Sequence, residues 1–364
     1  MDGAGAGPWR YTLANATAGA RFLRQQSQAA LEAGVKIQYC MNLPCTVLQS
    51  TQLRAVSHAR EAKDHVRDPL VYSWKEGLSG LLLDAVGLGA SVDNIFTETQ
   101  TGCGGFNCTE MNPRYETALS ALSGGPYAIG DGAGWTDKEM VMHSCRADGA
   151  ILRTTEQMTM LDVGLREGFH TLEEFDIWTA ATEIRAQPPQ GAAAADGEGY
   201  RWTFVLSTFL PRAVELTPLD LGYAKDAVLI AWDKWSSLDP ASTHNGGGAL
   251  RVADGNTPMK LRACPKLANP RDKNWIYTIV SPRPCAGKCW ALLGELDKVA
   301  SVSGVRFDTV ESTTASLTVH GSGVPHEVLR LGAVAPSVAK EVLAISQAEV
   351  IVDSSGAFSH TWHA

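Results

Sequence analysis

Strand-like and helix-like segments take turns along residues 17–150 of this chain, and then the alternation stops. "TAGARFLRQQSQAALEA" (17–33) carries apolar residues three and four apart and ends at Gly34, the pattern of an amphipathic helix. "VKIQYCMN" (35–42) reads as a buried strand, and a helix is expected around 44–53. "AVSHA" (55–59) is a short strand that runs into the polar loop "REAKDHVRD". "WKEGLSGLLLDAVGLG" reads as helix, "ASVDNIFT" as strand, "PRYETALSALSG" as helix and "PYAIGD" as strand. "TDKEMVMHSCRADG" reads as a helix capped by Thr136, with Glu139 three residues on completing a capping box. Such alternation is the signature of parallel α/β construction.

After Gly149 the segments become short, β-rich and separated by Gly, Pro and Asp turns. They are "ILRTTEQ", "YRWTFVLSTFL", "AVLIAWDKWS", "KNWIYTIVS", "CWALLGELDK", "SLTVHG", "HEVLRLGAVA" and "EVIVDSSG". That is the pattern of an antiparallel β-sandwich. The expected fold class is therefore α/β plus all-β, divided into residues 1–160 and 161–364. "QPPQGAAAADGEGY" (187–200) and "STHNGGG" read as low-complexity surface loops, and no internal repeat is visible.

With 364 residues the chain has room for two domains, and its 45% hydrophobic and 19% charged residues are an ordinary globular balance. The net charge of −8 and the lack of a basic run argue against nucleic acid and anionic lipid as partners. No charged n-region followed by an apolar h-region opens the chain, and no apolar run is long enough to span a bilayer; a cytoplasmic protein is the expectation. Of the eight cysteines, the pairs Cys40/Cys45, Cys103/Cys108 and Cys285/Cys289 are spaced wider than a zinc knuckle, and no His follows at finger spacing. Most are expected to be small buried hydrophobes, and neither a metal nor a cofactor is called for.

The stretch "GGPYAIGDGAGWTD" (124–137) looks at first like a phosphate cradle. Its spacing misses G-x-G-x-x-G, Asp131 sits where a pyrophosphate would lie, and no Lys-Ser/Thr pair follows. Phosphate is excluded; a structural strand-to-helix turn and the rim of a sugar site both stay open.

Several pieces, taken in order, resemble glycoside hydrolase family 36, the retaining α-galactosidases and raffinose (seed imbibition) synthases. "IQYCMN" (37–42) is similar to the fifth barrel strand of that family and "AVSHAREAKDHV" (55–66) to its Arg-x-x-x-Asp segment. "YSWKEG" (72–77) is similar to its Trp-x-x-Gly turn and "SVDNIFT" (91–97) to its seventh strand. "GGPYAIGD" resembles the eighth, and "RADGAILR" (146–153) the exit into the β domain. The resemblance covers residues 30–165 well and the β domain loosely.

This resemblance implies about strands 5–8 of a (β/α)₈ TIM barrel ahead of the β-sandwich, with the site at the carboxyl face. It implies retaining hydrolysis or transfer of α-linked sugars, with paired carboxylates about 5–5.5 Å apart. Asp64 takes the acid/base role. Arg60, Tyr39, Asn42, Trp74, Asp93 and Asp131 are implied to bind an oligosaccharide or α-galactoside. Lys63 departs from the family pattern, in which a small or acidic residue precedes the acid. The strand that bears the family nucleophile has no counterpart in "MDGAGAGPWRYTLANA". The expectation is a fragment whose other half is missing or supplied by self-association, inactive by itself. A catalytically silent carbohydrate-binding or scaffold protein is the alternative; a metal-binding protein ranks behind both.

Overall fold

The structure is a computed structural model. It describes residues 17–40, 44–60, 77–92, 94–97, 110–171, 175–186, 199–239, 248–267, 274–336 and 343–364. Among them the fold is mixed α/β with strands predominating.

The amino-terminal part places helix α1 (Ala18–Glu32), strand β1 (Ile37–Tyr39), α2 (Pro44–Ser50), β2 (Val56–Arg60), α3 (Gly77–Ala85) and β3 (Gly89–Ser91) in succession. Gly34, at φ +68°, turns the chain out of α1 in a conformation that an L side chain resists. The strands lie parallel in the order β1-β2-β3. Parallel bridges then join Ala90 to Gly124 and Ile95 to Ile129, so a fourth segment follows β3 in sequence order. Helix α4 (Pro113–Leu122) forms the crossover, and every residue from Tyr115 to Leu122 is buried.

One face of this sheet packs on the helices. Tyr39, Ala59 and Ala90 share a core there with Val47 of α2, Leu53, Leu83 of α3 and Leu88. Close approach of the fourth segment depends on two glycines. A Cβ on Gly125 would lie 2.1 Å from the Ala90 carbonyl oxygen, and Gly124 adopts φ +85° against the side chain of Gln157. That glutamine completes the edge of β3 as a strand would: Ala90 N–H donates to its Oε1 at 3.1 Å, and its Nε2 donates to the Leu88 carbonyl at 3.0 Å.

Helix α5 (Lys138–Met142) is capped by Asp137, whose carboxylate accepts from Met140 N–H, and not by Thr136 as the capping-box pattern suggests. The Asp side chain reaches N3 from the position directly before the helix, so Glu139 falls one residue short of a capping box.

From residue 156 most strands belong to one nine-stranded sheet in the order β17-β14-β13-β5-β6-β11-β8-β9, with β4 also on β5. The strands are β4 (Glu156–Met160), β5 (Asp176–Ala186), β6 (Gly199–Thr208), β8 (Leu229–Ser236), β9 (Leu250–Ala253), β11 (Trp275–Pro282), β13 (Phe307–Ser312), β14 (Ser316–Ser322) and β17 (Ala357–His363). Their pairing is antiparallel except that β13 runs parallel to β5 at Arg185 and Ala186. A three-stranded sheet of β12 (Ala291–Glu295), β15 (Val328–Val334) and β16 (Ile345–Ile351) shares one core with it, and α4 packs into the same core.

On the opposite face, the pair β7 (Val214–Leu216) and β10 (Met259–Leu261) and the residues Val163 and Phe175 cover Ile177, Val205, Ala231 and Val280. The central strands are thus buried on both faces, which explains their unbroken apolar runs. Helix α6 (Asp162–Thr171) interrupts the β-rich part where only strands and turns were expected. Cys285 and Cys289 form a disulfide, contrary to the expectation of buried thiols. The intervening chain folds back through left-handed Cys285, Ala286 and Gly287, which brings two residues only four apart into bonding range. Cys145 and Cys264 are buried thiols, whereas Cys40 and Cys45 are exposed.

Candidate functional site

The carboxyl ends of the parallel strands gather Tyr39, Arg60 and Ser91, the last residues of β1, β2 and β3. Successive residues of a strand point to opposite faces, so the sheet sorts them into two sets. Tyr39 points to the helix side with Ala59 and Ala90, and its burial pushes the phenol pKa up. Arg60 lies level with Ser91 on the other face, and Gln38 lies level with His58 there. Gln38 Nε2 donates to Ser91 Oγ at 3.1 Å across that face.

A polar face on a parallel sheet is unusual, because such sheets bury both faces. Here the polarity runs from exposed Gln38 and half-buried His58 inward to buried Arg60 and fully buried Ser91. The register of β1 on β2 shifts between Ile37 and Gln38, which leaves Ser57 as an extra residue of β2. Bulges of this kind re-aim side chains and often border functional sites. The Ser57 hydroxyl and His58 Nδ1 are 2.8 Å apart. Burial, followed by the positive charge of Arg153, lowers the His58 pKa from its ordinary value and favours the neutral ring.

Asp131 lies two residues beyond the bridge at Ile129, further out along the same end. Its carboxylate accepts from Thr97 N–H at 3.0 Å and from Thr97 Oγ1 at 2.6 Å. Thr97 Oγ1 in turn accepts from Asp137 N–H at 2.8 Å. The aspartate therefore ties the exit of the third parallel segment to the cap of α5. Beyond it Trp135 stands 45% exposed in the turn closed by its own N–H to the Gly132 carbonyl at 3.0 Å.

We expect Asp131→Ala to lower stability by about 1–3 kcal/mol, since Thr97 would lose both acceptors in a largely buried place. Urea unfolding measures this. A variant of unchanged stability that lost sugar affinity instead would move Asp131 from the scaffold to the binding surface.

Of the residues singled out by sequence, Arg60 is on the polar face, Tyr39 is on the helix side, and Asp131 is engaged with Thr97. Asn42, Asp64, Trp74 and Asp93 lie outside the described residues. Gln38, His58 and Ser91 were missed. The alternation of Gln38 with Ile37 and Tyr39, and of His58 and Arg60 with Ala59, was the available signal.

Among the described residues no group of three His, Cys, Asp or Glu side chains is placed to hold a metal ion. No helix among them is long and apolar enough to cross a membrane. No protein-family model matches the chain, and no curated protein matched it.

Proposed function

We propose that the polar side of the parallel strands is a carbohydrate site of the α-galactosidase or raffinose-synthase type, built on consecutive strands of a (β/α)₈ barrel. One observation carries this reading: four parallel segments follow one another in sequence order, and the polar face of the first three bears Arg60. Loops at the carboxyl ends of parallel strands are where ligands of such folds bind. Arg60 provides fixed donors for sugar hydroxyls. Asp64, four residues further on, is the proposed general acid for the glycosidic oxygen.

No second carboxylate is assigned as nucleophile. A lone general acid accelerates a reaction typically ~10²–10⁴-fold, far less than the ~10⁶–10¹⁷-fold of a complete enzyme. The proposed behaviour is therefore sugar binding with weak turnover. The purified chain is titrated with methyl α-galactoside and raffinose while melting is followed, and a chromogenic α-galactoside assay is run beside Asp64→Asn. Binding of either sugar, with slow release that disappears in the variant, is the expected result. Binding with no release in either protein would favour the catalytically silent form. No binding at all would overturn the carbohydrate reading.

A further inference from the structure

Two groups on the polar sheet face have no partner among the described residues: Nε2 of His58 and Oε1 of Gln38. The two residues are neighbours in register on β1 and β2. The partner of His58 on the other side is Gly89, so no side chain of β3 stands level with the imidazole. Backbone does approach there, with the Gly124 carbonyl 3.1 Å from where a Gly89 Cβ would stand. The ring is thus held between strands and remains half-exposed on one side.

We infer that His58 is a ligand-binding residue, which presents Nε2–H to a sugar hydroxyl while Gln38 Oε1 accepts from a neighbouring one. In this assignment the Ser57 hydroxyl, 2.8 Å from Nδ1, donates to it, which leaves the hydrogen of the neutral ring on Nε2. Ser57 is the extra residue of β2 at the register shift, directly before His58. The lowered pKa of His58 agrees with a neutral ring at pH 7. A donor and an acceptor side by side match vicinal hydroxyls, each of which can give and take one hydrogen bond. This assignment rests on the carbohydrate reading of the same face and adds the side chains that recognise the ring.

The test titrates methyl α-galactoside and raffinose into the wild-type chain and into His58→Ala, His58→Gln and Ser57→Ala, by calorimetry and by the imidazole resonances. Losing one neutral hydrogen bond weakens binding about three- to tenfold, which is the loss expected for His58→Ala. His58→Gln keeps an N–H donor near the position of Nε2 and is expected to recover most of the affinity. Ser57→Ala is expected to bind more weakly than wild type with an unchanged melting temperature, because the ring loses its fixed tautomer. In the wild type the His58 resonances should shift on saturation with sugar. Wild-type binding that His58→Ala leaves untouched would overturn the role of His58 alone. A loss in His58→Ala that glutamine does not restore, with a matching fall in melting temperature, would make the residue structural and also overturn it. A wild type that binds neither sugar would overturn this assignment together with the carbohydrate reading.

Discussion

Replacing Lys234 by Met should make the protein more stable at pH 7, by roughly 2 kcal/mol, and less stable above pH ~10. Lys234 lies on β8 with 1% exposure. Its ammonium group is 5.5 Å from the ring centre of Trp232 and 5.0 Å from that of Trp235, and it donates to the Lys298 carbonyl. Glu295 and Asp297 favour its charge, Lys298 and Arg114 oppose it, and burial outweighs them all, bringing the pKa down to about 7. His143, in edge contact with Trp235, adds a further, half-buried basic group whose own pKa desolvation lowers.

The folded pKa lies below the unfolded value of 10.5, so the unfolded chain binds the proton first as pH falls. Stability is fully present above pH ~10.5 and is lost progressively down to about pH 7. The gap of about 3.5 pKa units corresponds at pH 7, the folded midpoint, to about 4 kcal/mol. Methionine removes that cost but leaves the Lys298 carbonyl without its donor, which costs about 1–3 kcal/mol. The remainder gives the net gain at neutral pH, and the lost hydrogen bond alone gives the deficit at high pH. Urea midpoints of both proteins from pH 6 to 10.5 test this. A difference of constant sign and size across that range would show that titration of Lys234 is not its cause.

The opposite result is expected at Arg306. Its side chain is fully buried and serves two carboxylates. Nε donates to Glu295 Oε2 at 2.9 Å, and Nη1 and Nη2 donate to Glu327 at 2.7 and 2.9 Å. The two carboxylates respond differently. Glu327 also accepts from Ala147 N–H and Val324 N–H, and Arg306 with these donors holds its pKa at about 2 despite burial. Glu295 is buried and accepts from no backbone N–H among the described residues, and desolvation raises its pKa.

Arg306→Met should cost about 3–5 kcal/mol, because it leaves two buried carboxylates facing each other. Arg306→Lys should recover little, since one ammonium cannot make paired bonds to two carboxylates. Glu327 has a depressed pKa, so its contribution is present above pH ~4.5 and is lost as pH falls through about 2. Without the guanidinium that loss should begin at higher pH, moving the acid unfolding transition upward. A loss below 1 kcal/mol with an unmoved acid transition would count against the network. Its consequence is more than local: Ala147 lies in the turn after α5, so the network ties the loop beyond the parallel strands to the β-rich part.

The alternation of residues 17–150 was enough to place β1, β2 and the helices between them, because an amphipathic period and a terminal glycine are local properties. The apolar runs of β6, β8 and β11 likewise announced buried strands. "DIWTAATEIRA" became β5, the strand on which β4, β6 and β13 all pair, although its small and polar residues gave no such warning. Asp137 took the cap from Thr136 for a reason of geometry within one turn, finer than pattern reading resolves. At the site, the sequence nominated Arg60 by motif and passed over Gln38, His58 and Ser91. Two-residue periodicity marks which side chains share a face, yet only the neighbouring strands decide which face meets helices and which meets solvent. The same holds for charge. That Lys234 and Arg306 are basic is written in the sequence; that one is caged by indoles and the other by carboxylates follows from residues as far as 64 positions apart folding together.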